Sequence, residues 1–447
     1  MQERHRWSAR NALAWILVAL VGAGTASAQT TDYCGCAGSP NSLGAFVLND
    51  TSTWPPGTVE RDNFFAGCED AVEVPLPPDG VVVFDSIDVT GRTARGCNGN
   101  LTFSRNAANT PVTLLVKGDV TIRDSGRINV SGFLGGDATS GAAGTPGAGG
   151  LGGFAGGEGA YQLVNFATVG GNGIGPGGGL GSTLTPGASA GGGVFVGVPE
   201  LRPLLGGSGG GGGRSANGNS SASGGGGGGG GGAIVIAANG TIDIQSGAIV
   251  WADGGRGGNR ASDSATSGAG GSGGAIRLLA NRIQGAGLIL ARGGSPGNCC
   301  DGLSGNGGGD GRIRMEAIFD TFAANNSTPI AARAPAPGPL ANPITPSVRI
   351  TSIDGAATPA NPIGFQNAID MIIDAPGTIQ VGLATTDVPA GTNVAVTVKP
   401  KVGGLPVEKD VTLIGGSCTS GACTASTSFD LAAGAYIVEA RATFQTP

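Results

Sequence analysis

The stretch AIVIAANGTIDIQSGAIVWADGG, residues 233–255, contains three short apolar runs that turn residues such as Asn239-Gly240 and Ser246-Gly247 separate. The runs cover residues 234–236, 242–244 and 249–251. Strands this short and this close together cannot each bury a face as hairpins. They can do so when each run lies between similar strands above and below it. The stretch therefore predicts an all-β fold of the parallel β-helix (β-solenoid) type, in its right-handed form.

Three further segments, 112–132, 275–294 and 311–317, repeat the pattern. The predicted inward side chains are apolar in every copy: Leu114/Val116, Val120/Ile122 and Ile128/Val130; Ile234/Ile236, Ile242/Ile244 and Ile249/Trp251; Ile276/Leu278, Ile283 and Leu288/Leu290; Ile313 and Met315. The positions between them vary, which is the period of two that stacked strands require. Val/Ile-rich strands of an ordinary sandwich are the alternative, but the recurring three-strand spacing argues against it.

The composition excludes several classes of protein. Glycine accounts for 90 of 447 residues, yet it follows no Gly-X-Y period, so the chain is not collagen-like. The aliphatic residues are grouped rather than sparse, which is not typical of a disordered chain. The net charge is −6 with only four lysines, and this gives no electrostatic footprint for nucleic acid or an anionic membrane.

The first 28 residues have the pattern of a secretory signal peptide. Arginines precede an apolar core at 12–21, and Ala26-Ser27-Ala28 forms a small-residue cleavage site. We therefore expect cleavage between Ala28 and Gln29. The apolar core is too short for a comfortable transmembrane helix, so the mature chain is predicted to be secreted and not membrane-spanning.

All eight cysteines follow this segment, and disulfides are the default state in an oxidising compartment. Cys418 and Cys423 flank a four-residue loop and are predicted to pair with each other. The sequence leaves open the pairing of the other six, which are Cys34, Cys36, Cys68, Cys97, Cys299 and Cys300. A metal site is disfavoured because the spacing is not CxxC and the mature chain has no histidine.

Composition divides the mature chain into four parts. Residues 29–80 are predicted to form an irregular N-terminal cap, and residues 81–326 to form the β-helix. Within the β-helix, segment 134–232 has 42 glycines in 99 positions but also scattered apolar residues. We expect this insertion to fold back over the outward side chains of Leu115 and Val235. Its glycine runs should be extended, near polyproline II geometry, and should stack with two shorter Gly-rich insertions at 254–274 and 293–310.

Residues 327–346 contain six prolines in twenty positions, which is typical of a stiff linker. In the last segment, 347–447, about seven alternating runs are separated by turn residues. This pattern predicts an immunoglobulin-like β-sandwich.

The only histidine is His5, inside the signal-like segment, so histidine-based chemistry is excluded from the mature chain. Asp119, Asp124 and Asp243 lie on or beside predicted middle strands, but no Asp-Asp pair occurs, and Asp243 and Arg277 do not obviously converge. Lone aspartates in glycine loops are more often turn formers than calcium ligands: Asp137, Asp253, Asp301 and Asp310. No catalytic residue, cofactor-binding residue, metal ligand or cofactor is therefore predicted.

The motifs AIVIAANGTIDI and GGAIRLLANRI resemble those of bacterial exported Gly-rich β-helix proteins, over roughly residues 81–317. The resemblance implies a surface or matrix location and no particular activity. The sequence thus predicts a secreted or cell-surface structural or adhesive protein without catalytic activity, whose partners would be surface polysaccharide or matrix components. The alternative is a carbohydrate-active β-helix enzyme or a glycan-binding protein.

Overall fold

The computed structural model describes residues 32–443, except for short gaps at 66–68, 92–97, 164–165, 186–189, 217–221, 298–303, 341–345, 360–361, 369–370, 415–417 and 420. The signal-like segment, its cleavage site and four cysteines (Cys68, Cys97, Cys299 and Cys300) lie outside the described residues, as does Asp301. In the described part, secondary structure consists of strands and three short 3₁₀ turns. No helix there has the length and apolarity needed to cross a lipid bilayer.

The first sixteen strands are β1 (Ala45–Val47), β2 (Val59–Phe65), β3 (Glu69–Pro75), β4 (Val81–Phe84), β5 (Ser86–Val89), β6 (Asn98–Ser104), β7 (Val112–Val116), β8 (Val120–Ile122), β9 (Gly126–Asn129), β10 (Ala233–Ile244), β11 (Ile249–Trp251), β12 (Ala275–Gln284), β13 (Leu288–Leu290), β14 (Arg312–Asp320), β15 (Ser327–Thr328) and β16 (Ala332–Ala334). The last eight are β17 (Ser347–Ile353), β18 (Ala356–Ala357), β19 (Gly377–Thr386), β20 (Asn393–Pro400), β21 (Val407–Thr412), β22 (Cys418–Thr419), β23 (Ala422–Leu431) and β24 (Tyr436–Ala442). The 3₁₀ turns are Thr51–Thr53, Ala324–Asn326 and Gly364–Gln366.

The first sixteen strands form two sheets in which nearly all neighbours are parallel. Sheet A has the order β1-β5-β8-β10-β12-β14-β16, with β4 and β7 alongside, and sheet B has the order β15-β13-β11-β9-β6-β3-β2. From β8 onward the chain alternates between the two sheets, so each new strand lies beside the strand of the previous pass. Only the β2–β3 pair is antiparallel in these sheets.

The inward side chains of the two sheets form one continuous apolar cluster. In sheet A, Leu114 pairs with Ile236, and Ile236 pairs with Leu278, which in turn pairs with Met315. All four side chains are fully buried. The predicted inward set of β10, β12 and β14 is therefore confirmed. Aliphatic residues at every second position of these strands point to the same side and pack together between the sheets, away from water.

The inward assignment was wrong for β11 and β13, the third strands of the second and third repeats, whereas the predicted Ile128 and Val130 of the first repeat do lie in the cluster. Val250 and Ile289 point into the cluster, whereas Trp251 is partly exposed and Leu288 lies on the outer face at 40% exposure. The residues on either side of β11, Ala248 and Ala252, also point inward, and both are fully buried. Small residues at the ends of the strand leave room for the chain to turn, so the bulkier Ile249 and Trp251 are directed outward.

Nine consecutive glycines, 224–232, run through a layer of glycine-rich segments that we call the glycine layer (residues 130–160, 170–182, 206–216, 222–232, 252–274, 291–297 and 304–311). Each of the nine N–H groups donates to a backbone carbonyl of a neighbouring segment, with N···O distances of 2.8–3.1 Å. Successive N–H groups donate to three neighbouring segments in turn, so every third glycine donates to the same segment. Gly225, Gly228 and Gly231, for example, donate to 266, 269 and 272.

The carbonyls of the first eight of these glycines accept hydrogen bonds from three further segments, 144–150, 207–213 and 255–258, again at every third residue, and the carbonyl of Gly232 accepts from Ala275 N–H. Three residues per turn is the period of polyproline II. A Cβ atom on any of the nine would overlap a neighbouring carbonyl oxygen. The expected close packing of the three insertions is therefore confirmed, and the interior of the layer is held by backbone hydrogen bonds.

The outer face of sheet A is covered by three different segments. Val235, Ala237 and Leu279 form a small apolar cluster with the buried Cys34 and Cys36, and Leu204 and Leu340 pack against it. The predicted cover by the glycine-rich insertion is thus present through Leu204. The sequence analysis did not anticipate the contributions of the N-terminal cysteines and the proline-rich segment.

Two segments are more regular than predicted. The predicted irregular cap contributes β1 to sheet A and β2–β3 to sheet B. The predicted linker begins with β15 and β16, which pair with β13 and β14. Both segments lie at ends of the sheets, where strand edges would otherwise leave backbone groups unpaired.

The C-terminal segment forms two antiparallel sheets, β18-β17-β19-β23-β22 and β21-β20-β24, whose buried residues share one cluster. Six of the seven predicted runs correspond to strands. The seventh, 368–373, has only an isolated bridge between Ile373 and Gly434 among its described residues. Backbone and side-chain hydrogen bonds join this segment to the glycine layer: Ala155 N–H to Phe365 O (2.9 Å), Asn172 Nδ2 to Pro400 O (2.6 Å) and Asn367 Nδ2 to Gly156 O (3.1 Å).

Candidate functional site

The three aspartates beside the middle strands have structural partners. Asp119 accepts the backbone N–H of Thr241 at 2.6 Å, and Asp124 forms an ion pair with Arg123 at 3.0 Å. Asp243 accepts a hydrogen bond from the Gln245 amide at 3.0 Å. These contacts tie neighbouring chain segments together, and they do not bring two carboxylates to one cleft.

Asp243 and Arg277 lie far apart on sheet A. Arg277 pairs with Val235, whereas Asp243 pairs with Gln284. Seven residues of β12 separate Arg277 from Gln284, which corresponds to roughly 20 Å along a strand. The two side chains therefore do not form a common site.

Arg277 instead belongs to a buried ion pair under the proline-rich segment. Its guanidinium donates to both carboxylate oxygens of Glu316, at 3.0 and 3.2 Å, and both side chains are almost fully buried. Arg314 and the Gly338 N–H also donate to Glu316, each at 2.6 Å. Burial alone would raise the pKa of Glu316, but these hydrogen bonds outweigh it and hold the pKa below its ordinary value of 4.5.

The described loop aspartates link one glycine loop to the next. Asp137 accepts the Asn259 N–H at 2.7 Å, and Asp310 accepts the Gly293 N–H at 2.9 Å. Asp253 accepts both the backbone N–H and the guanidinium of Arg292, at 2.6 and 2.7 Å. Asp137, Asp253 and Asp310 thus stabilise loops by satisfying backbone donors.

Two cysteine pairs lie at disulfide-bonding distance. Cys418 and Cys423, the pair predicted from the sequence, have Cα atoms 3.9 Å apart. Cys34 pairs with Cys36, with a Cα separation of 5.1 Å. Asp32 lies beside this second pair, but sulfurs in a disulfide are not the thiolates that bind metals.

A polar pocket of about 420 Å³ lies on the outer face of sheet B. Three parallel strands supply one row of its side chains, since Glu73 pairs with Thr102 in the register of β3 and β6, and Asn129 follows on β9. Phe133, Arg105 and Gln366 complete the wall. Strand alternation turns these polar residues outward while their neighbours enter the apolar cluster.

Several lining groups of this pocket are fixed in place. Arg61 forms an ion pair with Glu73, and Arg105 donates to the carbonyls of Gly149 and Gly150. Burial lowers the pKa of Arg105. The phenyl ring of Phe133 is 37% exposed. Fixed polar groups beside an exposed ring suit a sugar, which presents hydroxyls and one apolar face.

The polar pocket contains a single carboxylate, Glu73, whereas glycoside hydrolysis uses two. This pocket is not predictable from local sequence, because its residues are separated by many positions and its strands have an ordinary appearance. The one available signal was the run of polar outward positions in β3, β6 and β9.

Comparison with known proteins gives no match to this chain among protein-family models, curated proteins or solved structures.

Proposed function

We propose that this chain is an exported structural protein that acts at the cell surface or in the extracellular matrix. In this proposal the passes between sheets A and B form a right-handed β-solenoid over residues 81–326, capped by residues 29–80. The C-terminal pair of sheets is an immunoglobulin-like spacer or binding module that follows the linker 327–346. The proposed binding partners are those expected from the sequence, namely surface polysaccharide and matrix components.

The observation that carries this proposal is the glycine layer. Nine glycines exchange backbone hydrogen bonds with six neighbouring segments, and no side chain can enter between them. Such a layer provides stiffness but no reactive group. The aspartates around it are engaged in holding loops together, which also supports a structural role.

Cell fractionation tests the proposal. An epitope-tagged chain expressed in the native cells should appear in the surface or matrix fraction with Gln29 as its first residue, because the leading segment has the pattern of a secretory signal. A variant lacking residues 2–28 should stay inside the cell and serves as the control. Recovery of the uncut full chain from the cytoplasm would contradict the proposal.

Glycan binding is a second candidate function, and the polar pocket beside Phe133 favours it. We expect Phe133→Ala to weaken retention of the purified protein on immobilised cell-surface polysaccharide by about tenfold, since a stacked ring and its buried area contribute on the order of 1.4 kcal/mol. Asp243→Asn is the matched control and should bind normally.

The same two variants test the enzyme alternative, because depolymerisation that depends on Asp243 would place the activity on sheet A and contradict both proposals.

A further inference from the structure

A second cavity, of about 520 Å³, lies between the glycine layer and the two C-terminal sheets. Its walls are mainly apolar. Phe154 and Ile174 come from the glycine layer, and Ile350, Met371 and Val438 come from the C-terminal segment. A volume of this size is typical of a small-molecule site.

Hydrogen bonds on the cavity's rim hold its two walls in position. Asn367 donates to Gly156 O at 3.1 Å and accepts at its own carbonyl from Lys401 at 2.7 Å. On another side, Lys399 donates to Gly173 O at 2.8 Å. The cavity is therefore preformed, because closing it would break contacts that already satisfy buried donors.

Two enclosed acceptor atoms on lining residues have no hydrogen-bond partner, Asn367 Oδ1 and Glu439 Oε1. An unmatched buried acceptor is costly, so both atoms favour a ligand that brings a donor. The terminal torsion of the Glu439 carboxyl group is broad, and a modest rotation can present Oε1 to the cavity. The Asn367 amide is held by its hydrogen bond to Gly156 O and keeps its orientation.

Burial shifts the pKa values of the two ionisable groups near these acceptors toward the neutral forms. Burial raises the pKa of Glu439, although nearby Lys399 acts in the opposite direction. Burial likewise lowers the pKa of Lys399, with Glu439 opposing it. A neutral donor therefore suits this environment better than an ammonium or carboxylate group, whose desolvation would be more expensive.

From the apolar walls, the volume and the two unmatched acceptors, we propose that this cavity binds a lipophilic alcohol. The hydrocarbon body would cover Ile350, Met371 and Val438, and the hydroxyl would donate to Glu439 Oε1. This binding site is independent of the polar pocket and of the structural role proposed above.

Calorimetric titration of the full mature chain with decan-1-ol tests the proposal. We expect saturable 1:1 binding, and at least tenfold weaker binding of decyl methyl ether, which has the same body without the donor. Decylamine and decanoate should also bind more weakly than the alcohol. Absence of saturable binding, or binding of the ether, amine or acid as tight as that of the alcohol, would overturn the proposal.

Two neighbouring residues provide matched variants. Met371 lines the cavity, whereas Ile372 is 65% exposed and lies outside it. Met371→Trp should abolish binding of decan-1-ol by filling the cavity, and Ile372→Trp should bind as the wild type does. Thermal unfolding checks that both variants fold. Ala368→Leu is a milder filling variant should Met371→Trp not fold, and unchanged binding in a folded filling variant would refute the site.

Discussion

Replacing Gly228 with alanine should destabilise the protein by about 3 kcal/mol or more. Gly228 N–H donates to Ala269 O at 2.9 Å, and its carbonyl accepts from Gly210 N–H at 2.9 Å. An added methyl group would overlap the carbonyl of Gly255. Overpacking alone costs about 1–3 kcal/mol, and each displaced backbone hydrogen bond adds about 0.5–1.5 kcal/mol. Urea unfolding monitored by tryptophan fluorescence and circular dichroism measures the change.

Gly307 provides the matched control, because it lies in the same layer but at its edge. A Cβ atom on Gly307 would have its nearest neighbour, the carbonyl oxygen of Gly294, at an ordinary 3.6 Å. Gly307→Ala should therefore change the free energy of unfolding by no more than about 1 kcal/mol, with stabilisation favoured because alanine restricts the unfolded chain. Equal tolerance of both alanines would show that the glycine layer is not packed around Gly228 as described.

Removing the Glu316 carboxylate should have a comparable effect, about 3–5 kcal/mol for Glu316→Ala. The substitution leaves Arg277, which is 1% exposed, without its counter-charge. Only the carbonyls of Pro339 and Leu340 would remain as its partners. The covering segment around Gly338 would also lose a hydrogen bond to Glu316. Equilibrium unfolding at neutral pH tests this expectation.

The same ion pair predicts a dependence of stability on pH. The pKa of Glu316 is lowered in the folded protein from its ordinary value of 4.5. Its contribution is therefore complete above 4.5 and is lost as the pH falls through the lowered folded-state pKa. Glu316→Gln should be less stable than the wild type at neutral pH and should lose less stability on acidification. Parallel pH profiles of the two proteins would contradict this account.

Asp85 is the control carboxylate for both measurements. It pairs with Lys117 at 3.2 Å, but its side chain is 53% exposed. Asp85→Ala should cost much less stability than Glu316→Ala, because water screens an exposed ion pair. A loss as large as that of Glu316→Ala would mean that burial does not determine the strength of these pairs.

The sequence predicted the strands and their parallel order where large aliphatic residues mark the inward face. Leu114, Ile236 and Leu278 are such positions, and the structure stacks them in one column. The prediction failed at Val250 and Ile289, because their inward neighbours are small alanines and the larger residues beside them point outward. A large side chain is therefore not a reliable sign of burial near a sharp turn of the chain, because there the small residue fits inside.

Neither binding site could be predicted from local patterns. The polar pocket combines side chains from β3, β6 and β9 with Phe133 and Gln366, and only the register of three parallel strands brings them together. The second cavity is lined by residues of the glycine layer and of the C-terminal segment, which are far apart in the sequence. Long-range contacts of this kind leave no periodic trace in the sequence.

The rotation of hydrogen-bond partners along residues 224–232 limits how the length of such a run can change. Adding or deleting one or two residues would direct every following N–H group toward the wrong neighbour. A change of three residues restores the same directions, so homologous runs of different length should differ by multiples of three. Because glycines are interchangeable, the run cannot define its own alignment, and the buried apolar residues beside its ends, among them Ala222 and Ile234, must hold it in place.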